Sequence, residues 1–179
     1  DLATVSIRPH LIWGPGDPHL VPRLLAKADK GRLVRVGQGE NRVDIIYIDN
    51  AVHAHLQACD ALGIGKPSVG GKVYFVSDDE PVNLWQWINE VLKKTSRPLV
   101  TRSISYRTAS RLGYLLEKIY RWGNIKKEPP MTRFLASQLA TSHYFNISLA
   151  KKDFGYEPVV NPAEGMNRLI QSLSNPQEC

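Results

Sequence analysis

Apolar residues fall into short runs divided by glycine and proline, and their spacing alternates between two periods. Leu2 to Ile7 is a β-branched run that ends at Arg8-Pro9 and predicts a short buried strand. After the turn-rich Gly14-Pro15-Gly16-Asp17-Pro18, helical spacing of Leu20, Leu24 and Leu25 predicts a helix from Leu20 to Lys30, with Gly31 as its C-terminal cap. Leu33 to Val36 and Val43 to Ile48 are β-rich and joined through Gly37 and Gly39, the pattern of a hairpin or a looped pair of short strands. Asp49 or Asn50 is then placed to cap a helix reaching about Leu62. Lys66 to Lys72 reads as a Gly/Pro loop, Val73 to Ser77 as a strand, and Asn83 with Gln86 as a capping box opening a helix through Leu92. Strands and helices in alternation argue for α/β architecture.

Beyond Ser96 the pattern becomes helical. Arg102 to Trp122 is long, basic and amphipathic, with Leu112, Leu115, Leu116 and Ile119 on one face. Glu128-Pro129-Pro130 interrupts it. Short helices are expected at Phe134 to Leu139 and at Ser148 to Phe154, the latter closed by Gly155. Asn161-Pro162-Ala163-Glu164 supplies a cap, a first-turn proline and an acid for a last helix ending near Leu173. The expected division is residues 1–95, strands and helices of the sheet with substrate-binding segments inserted at about 14–45, and residues 96–179, a mainly helical lobe.

A chain of 179 residues can bury one good core or slightly more. It begins at Asp1 rather than Met, with strand-like sequence at once, and so reads as a fragment. Neither a secretory leader nor a bilayer-length apolar run is visible. Cys59 and Cys179 are too few and too far apart for a disulfide framework or a metal site, which suits a reducing, cytosol-facing compartment. The formal charge of +6 comes from basic residues scattered among acidic ones, so a solvated basic surface is the plainer reading and nucleic-acid binding is not expected. His53 and His55 lie two places apart on a helix, where side chains diverge, and no metal is expected there.

The segments RPHLIWGPGDPHLVP, GENRVDIIYIDNAVHAHLQA, GGKVYFVSDDEPVNLWQWI and AKKDFGYEPVVNPAEG follow one another along the chain. In this order they resemble the extended short-chain dehydrogenase/reductases. Within them the likeness is to the 3β-hydroxysteroid dehydrogenase branch, which includes sterol 4α-carboxylate 3-dehydrogenases and bacterial reductases of long-chain 3-oxo acids. The resemblance implies the C-terminal part of a doubly wound, parallel, Rossmann-type sheet with a small helical substrate lobe. It implies NAD or NADP as cofactor, with Pro9, His10, Leu11 and Ile12 against the nicotinamide, and Trp13, Gly14 and Pro15 as the neighbouring wall of the substrate pocket. The implied substrate is a secondary alcohol or ketone on a steroid-like or long-chain lipid.

Two sequence features bear on that implication. Sugar-nucleotide epimerases of the same superfamily resemble Arg-Asp-Phe-x-Tyr-Val-Asp-Asp where this chain has Val43-Asp44-Ile45-Ile46-Tyr47-Ile48-Asp49-Asn50. Val43 thus stands where an arginine would grip a diphosphate, and Arg42, one place off in a strand, points to the other face. Val43 therefore joins the expected substrate-binding residues. Tyr114 and Lys118 match a Tyr-x-x-x-Lys spacing, but in the family that proton-transfer pair precedes the strand matching Thr4 to Ile7. The catalytic Tyr and Lys and the Gly-rich dinucleotide loop are accordingly expected upstream of Asp1, and the chain alone is expected to be inactive. Three alternatives stay open: an epimerase or dehydratase, a binding protein that kept only the lobe, and peripheral membrane contact through the basic helix. A homodimer is a further expected assembly.

Overall fold

The computed structural model describes residues 2–63 and 69–174. Cys179 and the first part of the expected Lys66–Lys72 loop, residues 66–68, fall outside them. In chain order the elements are β1 (Ser6–Pro9), β2 (Ile12–Trp13), α1 (Leu20–Asp29), β3 (Arg35–Val36), β4 (Arg42–Val43), β5 (Ile46–Tyr47), α2 (Ile48–Gly63), β6 (Val73–Val76), β7 (Val82–Asn83), α3 (Leu84–Lys94), β8 (Ser103–Ile104), α4 (Tyr106–Trp122), α5 (Arg133–Ala140), α6 (Ser148–Phe154) and α7 (Pro162–Ser174). The α/β expectation holds. Strand pairs β1–β6, β2–β5 and β3–β8 all run parallel.

That parallel pairing corrects the hairpin. Arg35–Val36 and Ile46–Tyr47 do not pair with each other; they join Ser103–Ile104 and Ile12–Trp13 respectively. Glycines at 37 and 39, at φ 79° and 84°, turn the chain without returning it along the same ladder. The first strand also lies later than expected, with Pro9 inside it opposite Val76.

Two compact units are present, and neither is one continuous stretch: residues 1–23, 44–82 and 144–179 form the first, residues 24–43 and 83–143 the second. A boundary drawn at a single point in the sequence describes neither.

In the first unit α2 turns an alanine face inward. Ala51, Ala54, Ala58 and Ala61 are buried at helical spacing, in one cluster with Ile46, Tyr74, Val76, Ile147, Phe154 and Tyr156. Small side chains let the helix axis approach its neighbours closely, and the aromatic rings fill the remaining volume. The cluster is closed by α6, whose expected glycine stop is present: Gly155 has φ 75° and its N–H donates to the Lys151 carbonyl.

In the second unit α3 buries Leu84, Trp85, Trp87, Ile88, Val91 and Leu92. Asn83 caps it as expected, its side-chain oxygen accepting from the Trp85 and Gln86 amides. In helix α4 the buried residues are Ala109 and Gly113, while Leu112 and Leu115 are exposed. A Cβ on Gly113 would lie 2.6 Å from the Thr132 carbonyl carbon and 2.7 Å from the Arg133 nitrogen, so only glycine admits this approach.

Candidate functional site

The segment from β1 into β2 carries most of the expected site residues. In open α/β sheets ligands gather beyond the carboxyl ends of the strands, and Pro9 is the last residue of β1. Pro9, His10 and Leu11 are half-buried and Ile12 is exposed. Leu11 sits in the left-handed region at φ 47°, a conformation that costs a non-glycine residue about 1–3 kcal/mol and that clusters at ligand sites. Its carbonyl accepts a hydrogen bond from the Ile46 amide at 3.3 Å. The His10 ring meets Phe145 edge-on at 5.2 Å, and Phe145 stacks flat on Phe75 at 4.1 Å. The strand end is thereby propped on an aromatic pair from two other elements.

Ile12 and Pro15 come together in a cleft of about 300 Å³, lined also by Gly16, Asp17, Pro18, His19, Leu20 and Ile48. Asp17 shapes its floor. One carboxylate oxygen accepts from the His19 and Leu20 amides and the other from Val21, so Asp17 caps α1. Sequence reading took this residue only as part of a turn.

Trp13 and Gly14 do not face that cleft. Trp13 is wholly buried, edge-on to Tyr47 at 5.2 Å, and Gly165 of α7 lies close enough that a Cβ would come within 2.8 Å of Tyr47 and 3.1 Å of Trp13. Gly14, at φ 146°, leaves room for Ile48, whose Cγ2 a Cβ would approach to 2.6 Å. Both build the wall from behind. Val43 belongs to the second unit, where its side chain is fully buried while Arg42 beside it is exposed. The strand alternation read from sequence is present, and the position that would carry an arginine in the epimerase pattern is apolar interior.

Behind the strand ends lies a buried polar network that sequence reading did not assign. Asp78 accepts from the Tyr47 amide at 3.0 and 3.1 Å and from Asn50 Nδ2 at 2.7 Å. Burial pushes its carboxyl above the usual range, and these donors oppose that rise. Asp49 or Asn50 was expected to cap α2; both lie instead within the helix, which starts at Ile48, and Asn50 is wholly buried. Its Nδ2 also donates to the Val160 carbonyl, and its Oδ1 accepts from the Val159 and Val160 amides. Tyr156 donates to the Ser77 carbonyl at 2.9 Å, and burial raises its hydroxyl pKa. On the far end of β6, Asp153 accepts from Lys72 at 2.8 Å and Tyr74 at 2.7 Å. Those two donors hold the Asp153 carboxyl below its usual range, whereas burial pushes Tyr74 up to about 12.

The two histidines on α2 have separate surroundings, His55 Nδ1 donating to the Ala51 carbonyl one turn back. Tyr114 and Lys118 do adjoin, the ammonium 4.7 Å from the ring centre, and that hydrogen-bonded cation draws the phenol pKa down. Both sit on the solvent side of α4 in the second unit.

The sequence model of the 3-beta hydroxysteroid dehydrogenase/isomerase family matches residues 1–104. This chain belongs to that family. It is 51% identical over 96% of its length to a 2-alkyl-3-oxoalkanoate reductase of Shewanella oneidensis, covering 44% of that protein. It is 36% identical over 95% of its length to a sterol-4-alpha-carboxylate 3-dehydrogenase, decarboxylating, of Mus musculus, covering 48% of it. The chain therefore spans about half the length of the curated relatives it matches. Among solved structures, a UDP-glucuronic acid 4-epimerase of Bacillus cereus in complex with NAD aligns with TM-score 0.62 at 16% identity, over 97% of this chain and 45% of the epimerase. At that identity the likeness concerns the fold, which is part of the Rossmann-type architecture of the extended short-chain dehydrogenase/reductases.

Proposed function

We propose that this chain is the C-terminal, substrate-binding part of a nicotinamide-dependent oxidoreductase that interconverts a secondary alcohol and a ketone on a hydrophobic substrate, a long-chain 3-oxo acyl compound or a sterol. The observation that carries this reading is the end of β1. Pro9, Leu11 and Ile12 are apolar, Ile12 lines the cleft, Leu11 holds a left-handed backbone turn, and the His10 ring between them rests on the stacked Phe145 and Phe75. They fit the nicotinamide end of NAD or NADP. They lack the cations and consecutive glycines that a pyrophosphate needs, so the cradle for that group lies outside this chain. The bound cofactor would supply hydride. The chain's own residues would flank it, exclude water with Ile12 and Pro15, and hold the wall through Trp13, Tyr47 and Gly165. Proton transfer falls to a Tyr and a Lys preceding Asp1.

The relatives named as reductase and dehydrogenase favour lipid-like substrates, and the buried apolar Val43 supports the same choice over a sugar nucleotide. A panel assay of the native protein tests it, with NADH and NADPH against a 2-alkyl-3-oxo acid, NAD and NADP against a 3β-hydroxysterol acid, and UDP-glucose as the competitor. Turnover of either lipid supports the reading. Epimerisation of UDP-glucose without lipid turnover would overturn it.

A further inference from the structure

The cleft beside the end of β1 has mostly apolar walls and carries one basic group. Ile12, Pro15, Leu20 and Ile48 supply hydrocarbon, and among the described residues that line it His19 alone can become a cation. The His19 backbone is held in place. Pro18 before it has a ring-locked φ, and the His19 amide donates to Asp17 Oδ1 at 2.7 Å, which anchors the residue at the entrance to α1. Its side chain is exposed, and among the described residues no ion pair engages it. Asp17, the one acid in the cleft, has both carboxylate oxygens turned to backbone amides at 2.7, 3.0 and 2.7 Å. The positive end of α1 offsets its charge there. His19 therefore brings an imidazole N–H donor to an otherwise apolar space.

We propose that His19 binds the carboxylate of the substrate, so that this site takes 3-oxo and 3-hydroxy acids in their free form rather than as esters or thioesters. The inference rests on the oxidoreductase reading above and narrows it. The 2-alkyl-3-oxo acid and the 3-hydroxysterol 4-carboxylate considered there share more than an apolar body: each carries its carboxylate on the carbon next to the one that is oxidised or reduced. Ile12, at the strand end, and His19 line the same cleft, so one such molecule can meet both. Hydrogen bonds between an imidazolium and a carboxylate are about twice as strong as neutral ones, and apolar walls strengthen them further. An ester offers the imidazole a carbonyl oxygen without charge. A phosphate is served best by the fork of an arginine, and among the described lining residues there is none.

Steady-state oxidation by the native protein tests the proposal, with a 2-alkyl-3-hydroxy acid and its methyl ester as alternative substrates for NAD and NADP. The acid's kcat/KM is expected to exceed the ester's at least tenfold. His19→Gln should cut that ratio at least tenfold, and His19→Arg should restore most of it, because it returns the charge without the ring. The unfolding midpoint should hold in both variants, since they replace an exposed side chain and keep the amide bonded to Asp17. Calorimetry gives a second readout without turnover. With the reduced cofactor bound the alcohol cannot react, and the acid should bind the native protein at least tenfold more tightly than the ester, a difference that His19→Gln abolishes. Oxidation of the ester as readily as the acid, or a preference that His19→Gln leaves intact, would overturn the proposal while the oxidoreductase reading stands. Oxidation of neither compound would overturn both.

Discussion

Asn50→Ala should be among the most damaging single substitutions in the first unit. Asn50 is wholly buried and makes four hydrogen bonds, two given to Asp78 and the Val160 carbonyl and two accepted from the Val159 and Val160 amides. Truncation removes all four at once. It orphans two amides and a carbonyl and takes a donor from a buried carboxylate. Each orphaned buried group costs about 1–3 kcal/mol, and water entering the space left by the amide recovers part of it. A net loss of about 3–5 kcal/mol follows, at the upper end for a point substitution. The assay is urea unfolding of the native protein and the variant, followed by circular dichroism. Asn50→Asp adds a sign to the test. Its carboxylate could still accept from the two amides, but it would face Asp78 without a donor between them. The pair would bind protons more tightly folded than unfolded, so stability would drop as pH rises through the folded pair's pKa values. Asn50→Asp should accordingly be worse at pH 8 than at pH 5. Loss of less than about 1 kcal/mol in Asn50→Ala, against the expected cost of a lost buried network, would refute the reasoning.

Gly113→Ala should lower the unfolding midpoint although alanine favours helices by about 1 kcal/mol, because the added methyl strikes the backbone of residues 132 and 133; thermal unfolding reads this. Gly14→Ala should cost about 2–4 kcal/mol, combining a positive φ with overlap on Ile48, and should weaken cofactor-dependent turnover of the native protein; calorimetry and steady-state kinetics measure the two effects. Lys72→Met should raise the Asp153 pKa toward the ordinary carboxylate value. Asp153 stabilises the fold above its unfolded pKa and loses that contribution as pH falls through its depressed folded pKa, so the variant should have less of it to lose and its carboxyl should titrate at a higher pH, seen by carboxyl NMR titration.

Local chemistry was legible in the sequence and distant pairing was not. Asn83, Gly155 and Asn161 announce helix ends because a cap is satisfied within four residues, and each does what its position suggested. Arg35–Val36 carries no mark of its partner, since Ser103–Ile104 lies far along the chain and two short β-branched runs near a glycine loop look alike whether they pair or not. Asp49 or Asn50 was read as a cap because an aspartate or asparagine before a helical run has that use far more often than it joins a buried polar network. The leucines of α4 share one face in the sequence, and their spacing does not say which side packs; Gly113 was the overlooked signal, a glycine mid-helix that marks close approach. At the strand end the residue identities were readable. What they rest on was not: Phe75 and Phe145 become a platform only once β6 and the segment before α6 are folded together.

Hydride transfer to a lipid ketone is tested most directly with cofactor carrying deuterium at its transferable position. The native protein would be incubated with that NADH or NADPH and a 2-alkyl-3-oxo acid, and the product alcohol examined by mass spectrometry and NMR. One deuterium on the carbinol carbon, with the hydroxyl proton drawn from solvent, is the expected result. Absence of alcohol with either cofactor, or alcohol without deuterium at that carbon, would contradict the proposal that this chain is part of a lipid-directed oxidoreductase.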